Sequence, residues 1–299
     1  MRPDDRTLTR RAGRLTVLAA AGALALTGCS SEVQRGWMPG SDSAEITDET
    51  GRISNLWVGS WIAALLVGIL VWGLIIWCMT AYRRRKDEVG LPAQVRYNVP
   101  LEMLYTVVPL FMVAVLFYYT ARDQSIIEEE TENPEVNIEV IGKRWSWDFN
   151  YTDEDVYETG IQTPLDGTNG PEELIPTLYL PEDQRVQITL NSRDVIHSFW
   201  VAEFLYKKDV VPGRENIMEF TPQEQGVYRG KCAELCGEYH SEMLFNVEVV
   251  SSERYDEEME NLRDRDQTGQ LENDLGRSDG TDPRDDSEIR EDEIGVDGQ

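Results

Sequence analysis

Both histidines of this 299-residue chain, and two of its four cysteines, stand in patterns that can hold a metal. Cys232, Cys236, His240 and Met243 follow one another in Lys231-Cys-Ala-Glu-Leu-Cys-Gly-Glu-Tyr-His-Ser-Glu-Met243, and His197 precedes them in Asp194-Val-Ile-His-Ser-Phe-Trp200. Three chemistries compete for these residues. A Cys232–Cys236 disulfide suits an oxidising compartment, but it leaves His240, Met243 and His197 without a purpose. A Cys2His2 zinc site uses four of the five and has no use for the thioether. Copper uses all five, because thiolate, imidazole and thioether are its preferred soft and borderline ligands. A mononuclear blue copper site needs only one cysteine, so the second thiolate allows two coppers bridged by both sulfurs. Copper and the disulfide remain rival readings on the residues alone.

The elements that would carry these residues read as short strands. Across 135–250, Val136, Ile138 and Val140 alternate with polar neighbours, and Trp145, Trp147 and Phe149 continue the period of two. Arg185–Leu190 repeats it, and Ile196–Phe204, Asn216–Thr221, Val227–Lys231 and Leu244–Val250 are further candidates, punctuated by Pro181, Pro212-Gly213, Pro222 and Gly226. About seven strands with no helical period predict an all-β sandwich. Residues 152–174 read as a polar surface loop. A short helix is expected over Tyr255–Arg263, followed by an acidic, mostly disordered tail within 253–299.

Three apolar runs place the sandwich. Arg10, Arg11 and Arg14 precede the run Leu15–Gly28, which is too short to span a bilayer and reads as an export signal over 1–28. Its end, Leu26-Thr-Gly-Cys29, resembles a lipobox, which implies removal of 1–28 and lipidation of Cys29 as the first residue of an extracytoplasmic N-terminal segment 29–54. Leu56–Met79 is free of charge and is flanked by tryptophans and by Tyr82-Arg-Arg-Arg-Lys86. Val99–Ala121 holds only Glu102 and Pro109 as interruptions. Two spans, at about 56–80 and 99–121, form a transmembrane hairpin within 55–122, with the basic loop inside and everything after residue 122 outside. Cys78, within the first span, reads as a small packed apolar residue. Glu102 is either an interfacial carboxylate or part of an ion path, and its position alone favours the former.

Net charge is −27, from 55 acids and 28 bases. Such an excess excludes a nucleic-acid partner, which needs clustered Lys and Arg. The tail from residue 253 holds 18 of the acids against 6 bases, and most of the remaining excess falls on the external part. A basic partner would be steered toward that surface.

The string Cys232-x-Glu234-x-Cys236-x3-His240-x2-Met243, with His197 upstream, resembles subunit II of haem-copper cytochrome c oxidase. So do the preceding hairpin, Gly142-x2-Trp145-x-Trp147 and Asp209-x2-Pro212-Gly213-Arg214, in the same order. The lipobox is similar to that of Gram-positive members. The resemblance covers about residues 55–250 and implies a cupredoxin-like sandwich over 123–252. It implies a dinuclear CuA centre ligated by His197, Cys232, Cys236, His240, Met243 and the Glu234 carbonyl. Magnesium or manganese would be shared with the catalytic subunit through the Glu234 carboxylate, and haems would lie only in that partner. Trp145 would be where electrons arrive from cytochrome c, Glu102 the mouth of a proton path, and Asp194 an acid near the docking surface. Implied partners are catalytic subunit I, subunit III, membrane lipid, and cytochrome c or a membrane-tethered cytochrome of a bc1-type complex. Lys143-Arg144 before Trp145, and Ala202 where proline is common, depart from the pattern. A membrane-anchored copper-binding or assembly lipoprotein is the alternative, and it would require neither a second copper nor Trp145.

Overall fold

The computed structural model describes residues 30–39, 45–84, 90–91, 94–162 and 174–273. The signal segment, Cys29 and residues 274–299 lie outside the described residues. The chain divides into two compact units: one holds most of two long helices, and the other holds a sandwich with residues 45–52.

In the first unit, a single turn α1 (Ser31–Gln34) precedes α2 (Thr50–Ala81) and α3 (Val99–Ile127). Both long helices are long and apolar enough to cross a membrane. α2 begins before the apolar run and α3 continues past it, through Arg122 and Asp123. Hydropathy marks the stretch that can contact lipid, whereas backbone hydrogen bonding carries a helix on through polar turns. Trp57 donates its indole N–H to the Gly36 carbonyl at 2.8 Å, and Trp61 makes edge contacts with both Trp37 and Trp57. Cys78, expected to be packed, is exposed on this chain.

The second unit is built from ten strands: β1 (Val136–Lys143), β2 (Ser146–Tyr151), β3 (Val156–Thr159), β4 (Thr177–Pro181), β5 (Val186–Ser192), β6 (His197–Val201), β7 (Tyr206–Val210), β8 (Asn216–Phe220), β9 (Gly226–Cys232) and β10 (Leu244–Val250). One sheet has the order β3-β2-β1-β5-β8 and the other β4-β10-β9-β6-β7. β1 and β2 are an antiparallel hairpin rather than one continuous strand, with Gly142 opposite Trp147. β1 also runs parallel to β5, and β10 parallel to β4, so both sheets are mixed. This is the all-β, cupredoxin-like sandwich that the sequence implied.

Alternation sends Val136, Ile138, Val140, Trp147, Phe149 and Tyr151 into the space between the sheets, where Phe199, Phe245 and Val247 meet them. Phe199 and Phe245 stack at 4.5 Å, and Trp147 contacts both edge-on. Two features of the core come from outside the strand pattern. Ile46, upstream of α2, is 1% exposed within the core, and its neighbour Asp48 accepts a salt bridge from Arg185 at 2.7 Å.

Downstream, α4 (Ser252–Asp264) buries Tyr255, Met259 and Leu262 on the same core. Ser251 caps α4 by accepting from the Arg254 N–H. Of the stretch from residue 253, read as a mostly disordered tail, residues 253–273 are ordered against the sandwich, and the remainder lies outside the described residues. After α4 the chain runs along β3, with Tyr157 N–H donating to Gln267 and Gly269 N–H to Asp155. The expected loop 152–174 contains β3 itself, so part of it is sheet.

Candidate metal centre

His197 opens β6, Cys232 closes β9, and the other residues follow in the turn leading to β10. β6 and β9 are antiparallel neighbours, with Phe199 opposite Cys232. That pairing closes the 35-residue separation between His197 and Cys232. Main-chain hydrogen bonds tie the turn to the sheet: Cys232 N–H donates to the Met243 carbonyl at 3.0 Å, and Ala233 N–H to the Ser198 carbonyl at 3.0 Å. Trp147, fully buried beneath, donates its indole N–H to the same Met243 carbonyl at 3.3 Å.

The two cysteine sulfurs stand 3.9 Å apart, about twice a disulfide bond length, so both are free thiols. His197 Nδ1 lies 3.8 Å from Cys232 Sγ, and His240 Nδ1 lies 3.5 Å from Cys236 Sγ. Met243 Sδ is 3.8 Å from Cys236 Sγ, and the Glu234 carbonyl oxygen is 3.2 Å from Cys232 Sγ. The structure thus brings all six expected ligands together. The His197 nitrogen and both sulfurs lie within 4.8 Å of one another, while His240 stands outside that group on the Cys236 side. A single tetrahedral ion needs all four strong donors around one point. Two imidazoles flanking opposite sulfurs, each side with a weak third donor, fit a thiolate-bridged pair of soft metal ions better.

The imidazole of His197 is fixed on its far side. Its Nε2–H donates to Asp194 Oδ1 at 2.8 Å, which leaves Nδ1 as the free lone pair facing Cys232. Asp194, which the resemblance puts near a docking surface, has its carboxylate on the His197 ring, and it also accepts from the Val195 and Arg144 main-chain N–H groups. Burial alone would raise the Asp194 carboxyl, but the bonds from His197, Val195 and Arg144 outweigh it and leave it lowered. Burial likewise disfavours charge on His197, yet Asp194 and Cys232 together hold its value above 6.5. The neighbouring sulfur of Cys236 pulls Cys232 well below the usual thiol range, and the reciprocal interaction with burial pushes Cys236 up. A soft cation bound between the two sulfurs would displace their protons. Gly142 completes the pocket: a Cβ there would sit 3.0 Å from His197 Cδ2.

Trp145 is half-buried beside the turn. Its indole N–H donates to the Cys236 carbonyl at 3.2 Å and its ring packs on Tyr239 at 4.9 Å. Gly237, at φ +128°, adopts a conformation that favours glycine and has no Cβ to meet the Trp145 ring. Leu235 and Ile196 are exposed nearby in sequence, at 78% and 47%. The Glu234 side chain is exposed, so its carbonyl and carboxylate face different surroundings. Glu102 belongs to the other unit. There its carboxylate accepts from the Asn98 N–H at 3.1 Å while Asn98 accepts from the Leu101 N–H, a reciprocal cap on the first turn of α3.

The roles of Asp194 and Tyr239 were not legible beforehand. An acid three residues before a candidate histidine ligand, across a turn, was the available signal for the first.

A family profile described as "Cytochrome C oxidase subunit II, periplasmic domain" matches residues 136–250. Over 300 aligned residues the chain is 44% identical to "Probable cytochrome c oxidase subunit 2" of Streptomyces avermitilis, covering 90% of each chain. It is 34% identical to cytochrome c oxidase subunit 2 of Mycobacterium tuberculosis, covering 80% of this chain and 78% of that one. Among solved structures, the periplasmic domain of subunit II of cytochrome oxidase of Bradyrhizobium japonicum is 26% identical, with a TM-score of 0.40. That match covers 46% of this chain and 99% of the other. With identity of that extent along nine-tenths of its length, the chain belongs to the cytochrome c oxidase subunit II family.

Proposed function

We propose that this subunit receives electrons from a cytochrome c at a dinuclear CuA centre and passes them to the haem-copper catalytic subunit. There oxygen is reduced to water with proton pumping. One observation carries the reading: two free sulfurs 3.9 Å apart, with the Nδ1 of a different histidine beside each. His197, Cys232, Cys236, His240, Met243 and the Glu234 carbonyl would hold the two coppers. When bound, a thiolate-bridged copper pair supplies one-electron storage spread over two metals and two sulfurs.

The chain's own residues would keep that storage fast and directed. A carrier works best when its ligands move little between redox states, and here several of them are held from behind. Asp194 orients His197; Trp147 and the Cys232 N–H grip the Met243 carbonyl; strands β6 and β9 fix the spacing between His197 and the cysteines. Trp145 is the proposed arrival point for electrons, because its ring is half-exposed while its N–H is bonded to the carbonyl of ligand residue Cys236. The exposed Leu235 and Ile196 would give a donor an apolar contact, and the acidic surface would steer a basic cytochrome c, freely diffusing or membrane-tethered.

The remaining assignments follow from family membership. α2 and α3 would cross the cell membrane with the sandwich and C-terminus outside, and lipidated Cys29 would add a second anchor. Catalytic subunit I, which carries the haems, and subunit III would be the partners, with magnesium or manganese at the Glu234 carboxylate between subunits. Glu102 would open a proton path in addition to capping α3. Metal analysis and EPR of the natively purified oxidase test the central claim. Two coppers per chain with a mixed-valence spectrum are expected; zinc, or a Cys232–Cys236 disulfide, would overturn it.

A further inference from the structure

Behind His197 lies a second cluster of charges that the electron-transfer reading does not use. β1 and β5 run side by side, with Gly142 opposite Ser192, so the dipeptides that follow those two residues lie together. These are Lys143-Arg144 and Arg193-Asp194. The Arg193 N–H donates to the Gly142 carbonyl at 3.0 Å, and the Arg144 N–H donates to Asp194 Oδ2 at 2.7 Å. Within each pair, one side chain goes to each side. Asp194 takes the His197 ring, with Arg144 Nε 3.4 Å from its carboxylate.

Lys143 and Arg193 instead converge on Asp148 of β2. Lys143 Nζ is 3.1 Å from Oδ1 and Arg193 Nη2 is 3.5 Å from Oδ2. Asp148 is fully buried and also accepts from the Thr159 hydroxyl at 2.6 Å. The two cations are themselves less than a tenth exposed. The segment after α4 closes this cluster. Arg193 Nη2 donates to the Glu272 carbonyl at 3.0 Å, and the Asn150 side chain pairs with both the N–H and the carbonyl of Leu271 at 2.9 Å.

Burying two cations and a carboxylate is a poor route to stability, because desolvation offsets most of their attraction. What such a cluster does well is hold one geometry. Here the geometry is that of the turn between Ser192 and His197, which the Ser192 hydroxyl, bonded to the Val195 carbonyl and the Asp194 N–H, and the Asp194 carboxylate also hold. We propose that Lys143, Asp148 and Arg193, closed by the main-chain carbonyl of Glu272, position the Asp194–His197 arm of the metal centre. The inference rests on the copper reading of that centre. Residues 266–273 are then a working part of the electron-transfer domain, acting through Arg193.

The test uses the intact oxidase carrying Arg193→Met, Asp148→Asn, Arg193→Lys, or a chain ending at Arg265. Two readouts are taken: copper EPR with release to a chelator, and amide hydrogen exchange over residues 193–198 in copper-depleted complex. Arg193→Met, Asp148→Asn and the shortened chain should each alter the copper hyperfine pattern and weaken copper retention about tenfold. Exchange over 193–198 should quicken in the same three, and Arg193→Lys should restore most of both. Wild-type spectrum, retention and exchange, accompanied only by a lower melting temperature, would overturn the proposal. If the unmodified oxidase holds no copper, the copper reading fails, and the exchange measurement still decides whether the triad positions the arm.

Discussion

Replacing Gly142 by alanine adds one methyl group at the tightest place around His197. The new Cβ would lie 3.0 Å from Cδ2, 3.3 Å from Cγ and 3.4 Å from Cβ of the imidazole, where carbon atoms normally settle at about 3.5–4.0 Å. Something must give by a few tenths of an ångström. The backbone of β1 is poorly placed to yield, since Gly142 is paired with Trp147 on one side and Ser192 on the other. The ring would have to move instead, and it is fully buried and bonded to Asp194 at 2.8 Å. Overpacking of this kind costs about 1–3 kcal/mol of stability. A displaced ligand ring should also lower copper affinity about tenfold, equivalent to roughly 1.4 kcal/mol. Purified Gly142→Ala oxidase would be compared with wild type by copper content, chelator competition, EPR and thermal melting. Val227→Ala, at a 63% exposed site on β9, serves as the control and should change stability by less than about 0.5 kcal/mol. Unchanged copper affinity and an unchanged spectrum in Gly142→Ala would refute the claim that a rigid pocket holds the ring.

Trp145→Phe keeps an aromatic ring but removes the N–H that reaches the Cys236 carbonyl; copper EPR should persist while electron uptake from cytochrome c slows about tenfold, or ~1.4 kcal/mol. Stopped-flow reduction of the oxidase measures it, and wild-type kinetics would remove Trp145 from the route. Glu102→Gln retains an oxygen to accept from Asn98, so the α3 cap should survive. Turnover should nevertheless fall about 10²-fold if the carboxylate moves protons, whereas wild-type turnover in an intact complex would leave capping as its role. Glu219 supplies a pH signature. Burial would raise its carboxyl, but bonds from Gln187, Thr131 and Arg185 leave it below 4.5. Since the folded value lies below the unfolded one, its contribution is complete above about 4.5 and is lost as pH falls through the lower folded value. Glu219→Gln should flatten that acid limb in melts recorded against pH, and an unaltered limb would rule Glu219 out as its source.

Much of the centre was legible before any coordinates. Thiolates, imidazoles and a thioether at these spacings narrowed the chemistry to a disulfide or a soft metal, and the length and flanks of two apolar runs indicated membrane crossing. Ligand chemistry and helix length are local properties, and sequence carries them directly. The choice between disulfide and metal was not local. It turned on the separation of two sulfurs and on which sulfur each imidazole stands beside; the pairing of β6 with β9 puts His197 beside Cys232, and the turn between β9 and β10 sets the rest. The same holds for Asp194, which the resemblance implied only as an acid near a docking surface and whose carboxylate meets His197 because of the turn after β5. Ile46 in the core and residues 266–273 against β2 and β3 are joined to the sandwich by contacts between segments far apart in the chain. Composition along the sequence carries no trace of such contacts, and only the tertiary structure, where distant segments compete for the same buried surface, decides them.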